Sequence, residues 1–361
     1  MPSGNKTKEA TMHTVNKRKI VFSLVAGVLV YLATSLPSYA NWANPQLLIS
    51  PQDVEANIDK PDWVVVDARD LKDYLKGHIP GAISLGGKLK KVLRDPSARV
   101  FTDVSRYETL FGKAGIDNNT HVVFYHGDIK DLDCSTVAFW VMEYLGHDKV
   151  QVLDGGIDAW RNAGYRLDTK PTIKPEKSFK AHMVPSRLAT NAEILEIATG
   201  KETGKQLIDS RTAKEYKGED IRTIKGGHVP HVTMNVSHLD TLRQEKDPKT
   251  EKMKAVAYLD YDNAVKAFGN LDKNVRTIGY CQTGTRSTLT YLELRLLGFK
   301  DPANWDESWR IWADDLYANY PIEAPNGVQY YNFDHVNKEL KKLAKKVADL
   351  EAKLAPAAAA K

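Results

Sequence analysis

V-V-V-D-A-R-D-L-K-D-Y-L-K-G-H-I-P-G-A, residues 64–82, returns in altered form further along the chain. Residues 206–216 read Q-L-I-D-S-R-T-A-K-E-Y, and residues 226–230 read G-G-H-V-P. Asp67 and Asp209 stand 142 positions apart, as do Tyr74 and Tyr216. His78 and His228 stand 150 apart, so the second copy holds eight extra residues before its histidine. The match continues in H-V-V-F-Y-H, ending at His126, and V-R-T-I-G-Y-C, ending at Cys281, and then in segments closing at Trp160 and Trp312, 152 apart. Matched segments of this length read as a domain duplication and not as a short-period solenoid.

Within each copy, short β-branched runs such as 63–66 and 122–125 alternate with helix-like stretches such as 135–145. Continuous apolar runs are the mark of strands buried on both faces, and their alternation with helices predicts an α/β fold with a mainly parallel sheet flanked by helices. Two such domains are expected in tandem, at 41–168 and 186–324. Between them, 169–185 carries Pro171, Pro175 and several lysines, the composition of an extended linker. Residues 325–361 predict an amphipathic helix and an Ala-rich tail: Val336, Leu340, Leu343, Val347, Leu350 and Leu354 fall on a heptad seam. That seam suits self-association or a partner helix, or a helix packed on the body.

The net charge of +5 resides in the ends: residues 1–40 carry +4 and residues 325–361 carry +3, leaving about −2 for the body. A near-neutral body lacks the basic face that nucleic-acid binding needs. Residues 1–40 read as a signal peptide. Lys17, Arg18 and Lys19 precede an apolar run over 20–36, then Pro37 and the small-x-small Ser38-Tyr39-Ala40. Cleavage after Ala40 and a periplasmic or secreted protein are expected; the alternative is retention as a membrane anchor through 20–36. Two cysteines, Cys134 and Cys281, are too few for a disulfide framework, and no ligand spacing for a metal or haem occurs. A Cys134–Cys281 disulfide is left open. No cofactor is indicated.

The chemistry is expected at Gly279-Tyr280-Cys281-Gln282-Thr283-Gly284-Thr285-Arg286-Ser287. This loop follows an apolar strand and precedes a helix over about 287–297. Successive N–H groups in a tight turn form an anion nest, the helix start adds positive potential, and Arg286 adds a full charge. All three favour thiolate over thiol at Cys281. Gly284 permits a close approach that a side chain would hinder. A lone cysteine after a strand is often only a small core residue, but the polar, Gly- and Arg-containing sequence that follows favours a reactive one.

The repeated D-x-R…Y…G-H-[IV]-P segments, the C-Q-T-G-T-R-S loop and the closing W-D-E-S-W-R-I-W resemble the rhodanese family, its tandem-domain sulfurtransferases in particular, over nearly all of 45–324. The resemblance implies a catalytic second domain and a silent first one, where His126 replaces the cysteine and the loop is longer and acidic. It implies sulfur transfer through a Cys281 persulfide, from thiosulfate or a similar donor to a thiol or cyanide acceptor. Cys281 and Arg286 would be catalytic. Gln282, Thr283, Gly284, Thr285, Ser287 and Arg211 would bind substrate, and Asp209 and His228 would brace the loop from behind. Glu215 stands where two-domain thiosulfate enzymes of this family often carry a second Arg, so the donor stays open. Two other readings compete. Cysteine phosphatases place five residues between Cys and Arg, whereas four intervene here. A non-catalytic exported scaffold or redox-binding module would use the heptad segment to dock partners.

Overall fold

The computed structural model describes residues 38–315, 318, 320–324 and 333–358. The chain forms two compact units, Met1–Ala40 and Asn41–Lys361. The apolar run 20–36 lies outside the described residues, as does the tail beyond 358. Among the described residues, no helix is long and apolar enough to cross a membrane.

The duplication is visible strand for strand. In the first domain, β1 (Leu48–Ile49), β2 (Trp63–Asp67), β3 (Ile83–Ser84), β4 (His121–Tyr125) and β5 (Val150–Leu153) form an all-parallel sheet in the order β1-β5-β4-β2-β3. In the second, β6 (Leu188–Ala189), β7 (Gln206–Asp209), β8 (Met234–Asn235), β11 (Thr277–Tyr280) and β12 (Pro302–Trp305) repeat it in the order β6-β12-β11-β7-β8. The intervening β9 (Leu242–Lys246) and β10 (Met253–Leu259) form a separate antiparallel hairpin, which the sequence reading did not foresee. The central strands are buried along their length because helices cover both faces. Around each sheet the core is aliphatic and aromatic, with Val65, Val123 and Trp160 in one and Leu207, Ile278, Trp305 and Trp312 in the other.

The conserved spacing of the repeat has a physical reason. Asp209 at the end of β7 takes Arg211 on both carboxylate oxygens and accepts the Tyr280 hydroxyl at 2.7 Å; Arg211 also donates to the Gly227 carbonyl at 2.8 Å. Asp67, Arg69, Tyr125 and Gly77 repeat the arrangement, with Tyr125 to Asp67 at 2.6 Å and Arg69 to Gly77 at 2.7 Å. The motif histidines stack on the motif tyrosines at 3.8 Å, His78 on Tyr74 and His228 on Tyr216.

The two domains meet helix against helix. Helix Leu132–Tyr144 packs on helix Ser287–Leu296, and at their crossing Thr136 and Thr288 share a hydroxyl hydrogen bond at 2.8 Å. These threonines are 152 apart, the offset of the repeat itself. Nearby, Arg295 grips the buried Glu143 with two nitrogens. Each domain also lends an arm to the other. Residues 94–100 of the first reach Asp306 of the second, where the Val100 N–H donates to its carboxylate at 2.7 Å. The β9–β10 hairpin of the second reaches Asp154 of the first, where the Leu259 N–H donates at 2.9 Å. Asp154 and Asp306 are again 152 apart.

The segment between the domains is bound along the first domain. Lys177 and His182 donate through their backbone N–H groups to the carbonyls of Gly112 and Leu145, both at 2.9 Å, and Phe179 is buried against Phe111. Phe333–Ala358 form a helix, on which Leu340, Leu343, Val347 and Leu350 are exposed.

Candidate active site

Cys281 is the first residue beyond β11, the middle strand of the second sheet, at the carboxyl end where parallel α/β folds place their sites. It is buried, and its N–H donates to the Ser308 hydroxyl at 3.1 Å. Cys281 and Cys134 are both free thiols. Burial pushes the Cys134 thiol up to about 12, with Asp133 adding to the effect, so it is a poor nucleophile.

The loop is organised by where its carbonyls go. The Cys281 carbonyl accepts from the Trp309 N–H (3.1 Å) and the Gln282 carbonyl from the Arg310 N–H (2.9 Å), both at the start of helix Ser308–Asp314. The Thr283 carbonyl accepts from Arg94 of the first domain. The Gly284 carbonyl accepts from Asn304 Nδ2 (3.0 Å), and the Thr285 carbonyl from the Thr288 hydroxyl (2.7 Å). Five successive carbonyls are therefore held. In a trans peptide C=O and N–H point opposite ways, so the N–H groups of 282–286 are turned the other way, and none of these meets a protein acceptor among the described residues. Successive N–H groups left without a protein acceptor are what an anion nest requires. Gly284 makes it possible: its φ is +67°, and a Cβ there would lie 2.4 Å from the Asp306 carbonyl oxygen.

Arg286 lies against the Cys281 thiol, and Glu215 takes it in a two-pronged pair, Nη1–Oε2 2.9 Å and Nη2–Oε1 2.8 Å. Burial works against the charge of Arg286, but Glu215 and Cys281 outweigh it and hold its pKa above the ordinary value. Burial likewise works to raise Glu215, and Arg286 prevails, holding the carboxyl down to about 2. His238, half-buried beside this pair, is lowered to about 4, chiefly by desolvation and then by Arg286.

The structure brings Cys281, Gln282, Thr283, Gly284, Thr285 and Arg286 together in one loop. Gln282, Thr283 and Arg286 keep partial exposure and form its accessible rim. Two expected substrate-binding residues are placed elsewhere. Arg211 is buried, with Nε and Nη2 on Asp209 and Gly227, and belongs to the brace. Ser287 is also buried, its hydroxyl donating to Asn304 Oδ1 at 2.6 Å. Asp209 and His228 sit behind the loop in the same brace. Residues not foreseen are Arg94, His238, Asn304, Asp306 and Ser308, whose contacts join segments far apart in sequence and leave no local pattern to read.

In the first domain, His126 occupies the strand end and is buried, with its Nδ1 on the Ser135 hydroxyl (3.0 Å) and its Nε2 facing the Ala257 carbonyl of the hairpin (3.3 Å). Burial lowers it to about 4. Two of the three acids of this segment are paired, Asp131 with Lys88 (2.5 Å) and Asp133 with Lys90 (2.7 Å). No nucleophile is left at this strand end.

A family model for the rhodanese-like domain matches residues 50–163 and again 193–315. The thiosulfate sulfurtransferase of Corynebacterium glutamicum is 31% identical over 303 residues, spanning 80% of this chain and 94% of that protein. Among solved structures, SseA of Escherichia coli, described with the 3-mercaptopyruvate sulfotransferases, is 21% identical with a TM-score of 0.59, over 73% of this chain and 98% of that one. The anaerobic ergothioneine biosynthesis enzyme of Chlorobium limicola, solved with trimethyl histidine, is 20% identical with a TM-score of 0.64, over 79% and 71%. These two likenesses show a shared fold. With the duplicated sheets, the brace and the nested cysteine loop, the matches establish that this chain belongs to the rhodanese family, as a tandem-domain sulfurtransferase.

Proposed function

We propose that the chain carries a sulfane sulfur on Cys281, taking it from thiosulfate or a similar donor and passing it to a thiol or to cyanide. The supporting observation is the set of outward-held carbonyls from Cys281 to Thr285, which leaves inward N–H groups to stabilise a sulfur anion. The Cys281 thiolate attacks the outer sulfur of thiosulfate. The S–S bond of the donor breaks, sulfite leaves with its electron pair, and Cys281 becomes a persulfide. Cyanide or a thiolate then attacks the outer persulfide sulfur, giving thiocyanate or a new persulfide and restoring the Cys281 thiolate. Arg286, with two of its five N–H groups on Glu215, keeps three for the sulfur and for the donor's oxyanion.

Export belongs to the same proposal, with cleavage after Ala40, supported by the basic, apolar and small-x-small segments of 17–40. The exposed seam of helix Phe333–Ala358 supports self-association through that helix.

The test is sulfur transfer from thiosulfate to cyanide by the mature protein beside its Cys281→Ser variant. Activity that disappears in the variant is the expected result. Equal activity in both, or none from wild type with thiosulfate, mercaptopyruvate or a persulfide donor, overturns the proposal.

A further inference from the structure

Among the described residues, the only loop carbonyl held from the other domain is that of Thr283. Arg94, whose side chain is fully buried, donates through Nη1 to the Thr285 hydroxyl at 2.7 Å and through Nη2 to the Thr283 carbonyl. Nη2 also pairs with Asp306 Oδ1 at 2.8 Å. The arm that carries Arg94 is fixed on the second domain. Val100 is bound to the other Asp306 oxygen, Arg99 pairs with Glu307 at 3.2 Å, and Arg310 donates to the Ser97 carbonyl.

The peptide between Thr283 and Gly284 is the one for which this matters. Gly284, at φ +67°, sits where glycine has several backbone states open to it. Rotation of that peptide would turn the Thr283 carbonyl toward the sulfur and the Gly284 N–H away, exchanging an attractive dipole for a repulsive one. The four neighbouring carbonyls are tied within the second domain. At the one peptide whose partner is a glycine in a left-handed conformation, Arg94 supplies the tie from outside the loop, beside a long 3.4 Å contact from the Thr285 hydroxyl, which Arg94 itself holds through Nη1.

The silent half offers a comparison inside the same molecule. Arg243, on the opposing arm, stacks over Tyr258 at 3.8 Å and pairs with Glu245 at 3.0 Å. Among the described residues it donates to no group of the loop after His126. The arm is thus kept in both halves, while the tie to a loop carbonyl is found only where the cysteine is.

We propose that Arg94 is a positioning residue for sulfur transfer, a latch lent by the silent domain that holds the Thr283–Gly284 peptide so that its N–H faces the sulfur of Cys281. The inference rests on the proposed role of Cys281, and it gives the silent domain a task in that role.

The test uses the full mature chain and its Arg94→Ala and Arg94→Lys variants, in a Cys134→Ala background so that one thiol titrates. Three quantities are read: kcat/KM for thiosulfate, the midpoint of Cys281 ionisation from ultraviolet thiolate absorbance, and the response to added guanidinium ion. Arg94→Ala is expected to lower kcat/KM roughly 10- to 100-fold, the range for a misaligned or missing donor. It should also move the ionisation midpoint upward, and guanidinium should recover part of both. Arg94→Lys should fall between, since an ammonium does not reproduce the fork. A folded Arg94→Ala with wild-type kcat/KM and midpoint overturns the latch. So does a loss of activity with no shift of the midpoint and no guanidinium response, which marks a purely structural contact. If Arg94→Ala does not fold, Arg94→Lys is judged by the same readings. A wild type that transfers no sulfur while the midpoint still depends on Arg94 counts against the function and leaves the latch standing.

Discussion

Glu215 holds Arg286 by both carboxylate oxygens, at 2.8 and 2.9 Å, across 71 positions of sequence. The cation beside Cys281 is therefore balanced before any substrate arrives. What remains to stabilise a sulfur anion is the ring of backbone N–H groups, together with the donors of Arg286 that Glu215 does not use.

Replacing Glu215 with Gln unbalances Arg286 and should lower the thiosulfate concentration needed for half-saturation. The same change weakens a charge-assisted pair and should cost about 1–3 kcal/mol of stability. Steady-state kinetics and denaturant unfolding read the two effects. An unchanged half-saturation would mean that Arg286 does not meet the donor.

The pair also predicts an acid response. The Glu215 carboxyl falls from its ordinary 4.5 to about 2 in the folded protein. A group with a depressed folded pKa contributes stability that is fully present above its unfolded value and is lost as pH falls through the folded one. Its share should fade between about 4.5 and about 2. Unfolding free energy followed over that window should be shallower in Glu215→Gln than in wild type.

Gly284→Ala tests the loop geometry. The added methyl would meet the Asp306 carbonyl oxygen at 2.4 Å, on a residue already at φ +67°. We expect loss of sulfur transfer and a marked fall in Tm. Gly86→Ala is the control for conformation alone: its φ is +91°, but its Cβ would meet nothing within 4 Å. That variant should lose about 1–2 kcal/mol and keep its turnover.

Arg295 and Glu143 join the two domains through a partly buried ion pair, which the Tyr291 hydroxyl also enters. Glu143→Leu alone strands a guanidinium and should cost about 3–5 kcal/mol. The double variant Glu143→Leu/Arg295→Met should recover much of that loss, so urea unfolding of the two singles and the double gives a strongly non-additive cycle. Additive losses would show that the pair is not coupled.

Asp67→Asn and Asp209→Asn break equivalent braces in the first and the second domain. Both should destabilise by a similar amount, of order 3 kcal/mol, because each leaves a buried arginine half-satisfied. Below their unfolding temperatures, the first should retain turnover and the second should lose it, since only the Asp209 brace stands behind the Cys281 strand. Equal activity losses would argue against that division.

The sequence made the duplication legible because each motif residue fills the same mechanical post twice: Asp67 and Asp209, Tyr74 and Tyr216, His78 and His228. Parallel strands were legible for a simpler reason, that burial on both faces requires unbroken β-branched runs. The β9–β10 hairpin escaped notice because its first strand is polar and partly exposed, as in R-Q-E-K at 243–246, which left the apolar second strand without a recognisable partner. At the candidate site, Cys281 and its loop are neighbours in sequence and so open to a sequence reading. Arg94 could not, since its partners lie 189 and 191 positions away and no periodicity encodes the docking of one domain on another. Arg211 was drawn toward substrate by its charge, whereas Asp209, two residues away, claims it.

The hydrogen bond between Thr136 and Thr288 joins a residue to its own duplicate. In separate molecules such a contact marks a two-fold axis, where a surface meets an identical copy of itself. This chain has the geometry of a homodimer whose protomers have been tied end to end. Dilution cannot part such halves, because the tether keeps each at a high local concentration around the other. Once joined, the halves no longer had to remain identical: one could give up its thiol to His126 while keeping the helix face and the arm that the other needs.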